Sequence, residues 1–213
     1  ESVKLSGGIR YEYARLKIDS YQTVWANDRV TVEGGTPSFD ETLYNAGIVW
    51  TPVTPLSLFA SYSEGFTVPD VGRVLRGIDT PGVKLSDYNS LQPIITKNSE
   101  VGFRVQQAPF DFEASYYKST SKLGSRVELQ NDAFVARREK TEIDGVEVSA
   151  GYAPNADHKL NLAWSHMRGR YDSDDNGSLD AKLDGLNIAP DRIIASWSAN
   201  WNAELSTFLQ ANW

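Results

Sequence analysis

Every second residue is apolar over short stretches of this chain, and charge then begins on the same face. Val3, Leu5, Gly7, Ile9, Tyr11 and Tyr13 are followed by Arg15 and Lys17. Phe110, Phe112, Ala114 and Tyr116 are followed by Lys118, and Leu160, Leu162 and Trp164 by His166 and Arg168. The residues between are polar: Lys4, Ser6, Arg10 and Glu12 in the first run, Asp111, Glu113 and Ser115 in the second. A period of two puts each set on its own face of a β-strand. An apolar face of limited length, backed by a polar one, fits a bilayer outside and a hydrated or polar-filled interior.

The alternation predicts nine strands, over 2–19, 42–51, 55–63, 97–106, 110–129, 133–152, 158–171, 190–201 and 205–213. The connections alternate in length. Those at 51–55, 106–109, 153–157 and 202–204 are short, and those at 20–41, 64–96 and 172–189 are long. The connection at 130–132 is tight, but long strands flank it. Short turns at one end and long loops at the other mark an up-and-down membrane barrel. The fold class expected is therefore all-β, an antiparallel transmembrane β-barrel, with about nine strands of a larger barrel present. Trp50, Phe110, Tyr152 and Trp201 each adjoin a short turn and form a ring at one interface. A second ring, at Tyr44, Tyr62 and Tyr116, sits only about 15 Å deeper at a tilt of ~40°, thinner than the roughly 25 Å band of such barrels. The first strand, at roughly 60 Å, outruns the membrane.

Composition narrows the alternatives. Of 213 residues, 40% are hydrophobic. With a mean hydropathy of -0.41, no apolar run approaches the roughly 18 residues of a spanning helix. A net charge of -7 argues against nucleic acid as a partner. There is no Cys for a disulfide or a thiolate metal site. No signal sequence is visible at the N-terminus, so residue 1 of an exported protein would not begin the gene product. The two His, His158 and His166, have no acidic partner at ligand spacing. With no acid–base set and no Gly-rich phosphate loop, an enzyme is not expected.

Four segments then carry a family resemblance. Leu58 to Asp70 reads L-F-A-S-Y-S-E-G-F-T-V-P-D, and Lys97 to Arg104 reads K-N-S-E-V-G-F-R. Ile143 to Ser149 reads I-D-G-V-E-V-S, and Ile188 to Arg192 reads I-A-P-D-R. In order and spacing these resemble the strand motifs of TonB-dependent outer-membrane receptors, nearest the ferric-siderophore receptors of the hydroxamate or aerobactin-type branch. The resemblance implies a plug domain, an energy-coupling box and a barrel of about 22 strands. Residues 1–213 would then be a middle piece of the barrel, the plug lying outside this chain and Trp213 a truncation. It also implies three partners: a ferric siderophore, outer-membrane lipid, and the TonB complex acting through the plug. No tightly bound cofactor is expected.

Ligand capture belongs on the long-loop side. Arg and aromatic side chains suit a compact anionic chelate. The candidates are Tyr21, Trp25 and Arg29 in the first long loop, and Arg73, Arg76 and Tyr88 in the second. The inward row of Lys4, Arg10, Glu12, Glu100, Arg104, Asp111, Glu113, Glu147 and Arg192 reads as a salt-bridged lumen wall. One stretch offers oxygen ligands for calcium: Asp172, Asp174, Asn176 and Asp180 follow the spacing of an EF-hand loop, although its twelfth position is Leu183. Two rivals remain open. A passive outer-membrane porin shares the alternation. A soluble, calcium-dependent β-sandwich would bury Trp50, Val101 to Val105 and Ile193 to Trp201 against a second sheet.

Overall fold

The computed structural model describes residues 2–23, 28–85, 88–130 and 133–213. Nine long strands form one antiparallel meander: β1 (Ser2–Arg15), β4 (Ser38–Val53), β5 (Leu56–Thr67), β6 (Ile94–Gln107), β7 (Phe110–Gln130), β8 (Ala133–Tyr152), β9 (His158–Tyr171), β11 (Arg192–Asn200) and β12 (Ser206–Asn212). The two-residue β10 (Ala181–Lys182) adds to β9. β2 (Tyr21–Gln22) pairs with β3 (Thr31–Val32) apart from the main sheet. One short helix, α1 (Val71–Arg76), lies in the second long loop. Among the described residues the sheet is open, with β1 and β12 at its edges. All nine predicted strands are present, each ending within four residues of its expected bounds.

Register shows what the sheet is for. A row of paired residues on the outer face runs Trp50–Leu58–Phe103–Ala114–Val148–Trp164–Ile193 from β4 to β11. Trp201, which adjoins the last short turn, lies eight residues beyond Ile193. The line of turn-side aromatics thus falls about 27 Å along the strands while crossing six strand spacings, about 29 Å. Its slope is about 43°, within the roughly 35–45° tilt of membrane barrels.

The far edge of the apolar band follows the same slope. The first charges on the outer face are Arg15, Asp40, Glu64, Lys97, Lys118, Asp144, His166 and Asp191. Asp40 stands ten residues above Trp50 on β4, and Asp191 two above Ile193. This edge also falls eight residues in six spacings, so the two edges are parallel. Measured across the tilt, the band is about 20–25 Å deep. Tyr44, Tyr62 and Tyr116, expected as a second ring, sit inside the band, and the first charges bound it.

The band is apolar and uncovered. Val101 is 54% exposed, Phe103 37% and Ile193 40%, with no second layer against them among the described residues. This overturns the sandwich reading, which needed them dry. Aromatic rings gather at the turn side, where Phe110 stacks on Tyr152 at 4.7 Å and Trp201 meets His158 at 5.4 Å. The inner face is polar. On it the Arg104 Nε donates to Glu113 at 2.6 Å, and Arg10 pairs with Glu12 at 3.0 Å. Gly102 lies beneath the Phe59 ring, where a Cβ would collide with that ring and with the Ala114 carbonyl.

Candidate functional site

The dry core of this protein lies in its long loops rather than its sheet. Val30, Val32, Val74, Ile78, Leu85 and Leu91 are buried together. They come from the loop between β1 and β4 and the loop between β5 and β6. Ile18, Phe39, Val71 and Leu75 pack around them, as does Ala136 of the projecting β7–β8 hairpin. Backbone ties add to this apolar contact: Ile18 bridges to Gly35, and Glu33 to Lys84. Gly34 permits the fold-back, since a Cβ there would lie 2.6 Å from the Ile18 carbonyl oxygen. Asp70 caps α1 by accepting from the Arg73 N–H at 3.1 Å. The two loops therefore form one packed module on the side away from the short turns.

The six predicted ligand residues divide within this module. Tyr21 and Arg76 come together, lining a groove of about 410 Å³ with Ile18, Asp19, Gln22, Thr23, Gly72 and Leu75. The Tyr21 hydroxyl donates to the Leu75 carbonyl at 2.8 Å, so its ring also ties β2 to α1. Burial, and then neighbouring Tyr88, push its phenol up to about 12. Tyr88 packs against the buried cluster and acts as an anchor. Arg73 pairs with Asp70 at 3.3 Å. Arg29 occupies a turn with φ 49°, next to Asp28 at φ 55°. Trp25 lies outside the described residues.

Two arginines that the sequence did not single out organise the β7–β8 hairpin. Arg138 donates through Nη2 to the Gln92 carbonyl at 2.7 Å and fastens the end of the second loop to β8. Its Nε and Nη1 are buried without a hydrogen-bond partner among the described residues, and burial pushes its guanidinium down to about 10. Arg126 bonds Glu139 and Glu128 and lies 4.3 Å from the centre of the Tyr171 ring. These bonds, led by that to Glu139, raise its pKa despite partial burial. No sequence period marks either role: Arg138 depends on the second loop folding back onto the hairpin, and Arg126 on neighbours from β7, β8 and the end of β9.

The acidic loop does not have the geometry expected of a calcium site. Asp172 is 2% exposed, and its two oxygens accept the backbone N–H groups of Asn176 (3.1 Å) and Gly177 (2.6 Å). Asp180 accepts from the Ser173 N–H and hydroxyl, both at 2.9 Å, and these bonds hold its carboxyl below the usual range. Asn176 donates to Asp174 at 2.9 Å. Among the described residues no cluster of three His, Asp or Glu side chains is arranged to hold a metal ion. The carboxylates are spent on closing a tight turn, the ordinary use of Asp and Asn in such loops. His166, expected to lack an acidic partner, meets Asp191 at 2.6 Å, because the loop after β9 brings that carboxylate back.

A tilted apolar band, a polar inner wall and long packed loops on one side define a β-barrel of the bacterial outer membrane. The chain belongs to the TonB-dependent receptor family: the family description "TonB dependent receptor-like, beta-barrel" matches residues 1–213. It is 23% identical over 170 residues, 71% of the chain, to the rhizobactin receptor of Rhizobium meliloti (strain 1021). It is 26% identical over 186 residues, 77% of the chain, to the ferric aerobactin receptor of Klebsiella pneumoniae. The chain spans about a quarter of these relatives' length, 23% and 25% respectively. In fold it is similar to the copper transporter OprC (TM-score 0.72, 16% identity, 94% of this chain and 31% of that one). It also resembles the ferric yersiniabactin uptake receptor FyuA from Yersinia pestis (TM-score 0.66, 12% identity, 98% of this chain and 30% of that one). The porin reading offers no account of the family match.

Proposed function

We propose that this chain is part of the barrel of an energy-coupled receptor that takes up a ferric siderophore of the hydroxamate or aerobactin type. The observation that carries the reading is the packed loop module. It holds a groove with a cation and a phenol on its wall, on the side away from the short turns. Of the groove's lining, the Arg76 guanidinium and the Tyr21 ring suit an anionic chelate of iron, with the Asp19 carboxylate on the same wall. The names of the rhizobactin and ferric aerobactin receptors support the same ligand class. In this reading Arg76, with Arg73 and Arg29 elsewhere in the same two loops, supplies charge and donors. Tyr21 and Tyr88 hold the groove in shape, and Trp25 belongs to the same loop.

The transport step would follow by family likeness. Ligand binding shifts the loops and the top of a plug domain encoded outside residues 1–213. The TonB complex then draws on that plug to open a path. The salt-bridged inner wall at Arg104 and Glu113 is the surface such a plug would meet.

The test uses the full-length receptor in a strain lacking its own siderophore receptors. Growth on limiting iron with aerobactin or rhizobactin as sole carrier is expected to depend on the receptor and on TonB. Arg76→Ala should impair it without lowering the amount of receptor in the outer membrane. Growth independent of TonB, or unaffected by either siderophore, would contradict the assignment.

A further inference from the structure

The first charged rows above the apolar band are arranged unevenly in depth. On the outer face, Ser99, Lys118, Asp144 and Arg168 form one registered row across β6 to β9. Lys97, Thr120, Glu142 and Arg170 form the next row up. Below them, Val101, Tyr116, Val146 and His166 close the band. The charged rows thus begin one residue pair, about 7 Å of strand, above the apolar surface. Because the slab crosses the rows at about 43°, each row rises about 10 Å from β6 to β9, and together the rows span the depth of the lipid headgroups rather than acyl chains or bulk water.

Within these rows the carboxylates are sunk and the cations stand out. The side chains of Glu142 and Asp144 are 10% and 6% exposed. Lys118, Arg168 and Arg170 are 45%, 67% and 46% exposed. Glu142 is held by Lys118 at 2.7 Å and by Arg170 at 2.6 Å. Asp144 takes the Nε of Arg168 on both oxygens, at 3.1 and 2.9 Å. Arg168 thus engages Asp144 through one nitrogen and turns the rest of its fork outward. Lys97, 57% exposed and 3.7 Å from Glu64, extends the cationic edge to β6. The flanking negative group is Asp191 beside His166.

We propose that Lys97, Lys118, Arg168 and Arg170 form a docking site for the phosphorylated headgroup of an outer-leaflet lipid. The buried carboxylates fix the cations in place, so little side-chain freedom is left to lose on binding. Guanidinium groups on a rigid strand face suit phosphate oxygens, which accept two donors side by side. The patch spans three strand spacings, about 14 Å, enough for more than one phosphate. Its occupant would be anchored in the bilayer by its acyl chains against Tyr116, Val146 and Trp164. A free anion in solution has no use for that apolar floor.

The test titrates the full-length receptor in detergent with diphosphorylated lipid A, or with the same lipid stripped of both phosphates. Bound lipid is counted by native mass spectrometry. The wild-type receptor should prefer the phosphorylated lipid by about tenfold or more. A variant carrying K118Q, R168Q, R170Q, E142Q and D144N removes three of the four cations together with the carboxylates they hold, so no buried charge is left alone. Its preference should fall to near parity, with only Lys97 remaining beside Glu64. Arg168→Gln alone, at the most exposed cation, should lower the preference by about threefold. Equal binding of the two lipids by the wild type, or an unchanged preference in the five-site variant, overturns the proposal. Micromolar binding of inorganic phosphate at this patch would mark a free-anion site and overturn it as well.

Discussion

The side chain of Asn187 pairs with the backbone of Val127 in both directions. The Val127 N–H donates to Asn187 Oδ1 at 2.6 Å, and Asn187 Nδ2 donates to the Val127 carbonyl at 3.0 Å. β6 pairs with β7 only as far as Thr120, so among the described residues the β7 edge above it has no strand beside it. The Asn187 amide supplies what a strand would, and a turn at Asp184 holds it in place. An uncovered strand edge is a site for unwanted pairing, and this loop covers it. Asn187→Ala should remove two hydrogen bonds worth about 1 kcal/mol each. Hydrogen exchange at the Val127 amide should then quicken by roughly ten- to thirtyfold, with the membrane strands unaffected. Unchanged exchange there would show that the pairing carries no load.

Tyr21 and Arg76 share a groove but should fail differently. Arg76→Ala removes a cation from the wall and should weaken ferric-siderophore binding to the full-length receptor about tenfold or more. Tyr21→Phe keeps the ring but loses the bond to Leu75, and should cost the loop module about 1 kcal/mol with little change in affinity. The phenol is pushed up to about 12, so this part of the module's stability is complete below pH 10 and is lost as pH rises towards 12. An absorbance titration should lose one late-ionising phenol in Tyr21→Phe. If every tyrosine of the module ionises near pH 10, the buried position of Tyr21 is wrong.

Glu142 predicts a pH dependence of the opposite sign. Burial alone would raise its carboxyl, but hydrogen bonds from Lys118 and Arg170 outweigh burial and hold it below the ordinary value of 4.5. Its contribution to stability is therefore present above about pH 4.5 and lost as pH falls through the lowered value. The wild type should unfold at a higher temperature than Glu142→Gln at neutral pH. The difference should shrink as the solution is acidified below pH 4.5. A difference independent of pH would mean that Glu142 is not held as a carboxylate.

Val148 and Ser149 are neighbours that face opposite media. Val148 lies midway between Tyr152 and Asp144 on the outer face of β8, at the middle of the band. Val148→Arg should cost about 2–4 kcal/mol of barrel stability, the range for a cation at the bilayer midplane. Ser149→Arg, pointing inward, should cost much less. Unfolding of the full-length receptor in lipid vesicles checks the pair, and equal costs would remove the distinction between the two faces.

The membrane strands were legible because lipid imposes a period of two on every one of them. β8 and β9 match the expected bounds of 133–152 and 158–171 residue for residue. Strand bounds next to long loops shifted more: β4 begins at Ser38, not at 42, because Ser38 and Asp40 still pair with Arg15 and Tyr13 at the charged edge of the band. The loop contents were less legible. β2, β3 and β10 are two residues long, too short for any period to show. Val30, Val32, Val74 and Leu85 lie far apart in sequence, and nothing local marks them as one core. The same blindness hid the packing of Tyr88 against that core and made Asp172 look like a metal ligand. Their partners come from packing and from backbone N–H groups, which residue spacing does not reveal.

The central claim is that a slab of lipid crosses these strands at about 43° to their paired rows. Nitroxide labels at Trp50, Phe110, Tyr152 and Trp201 of the full-length receptor in vesicles test it most directly. Their depth is read from relaxation by oxygen and by a water-soluble nickel complex. The four sites should lie at one depth near an interface, although Trp50 and Trp201 are eight residues apart in register. A second set at Asp40, Lys118, Asp144 and Asp191 should lie about 20–25 Å away, at the other interface. Depths that follow the register, with Trp50 level with Ile193, would contradict the account, as would labels shielded from both reagents.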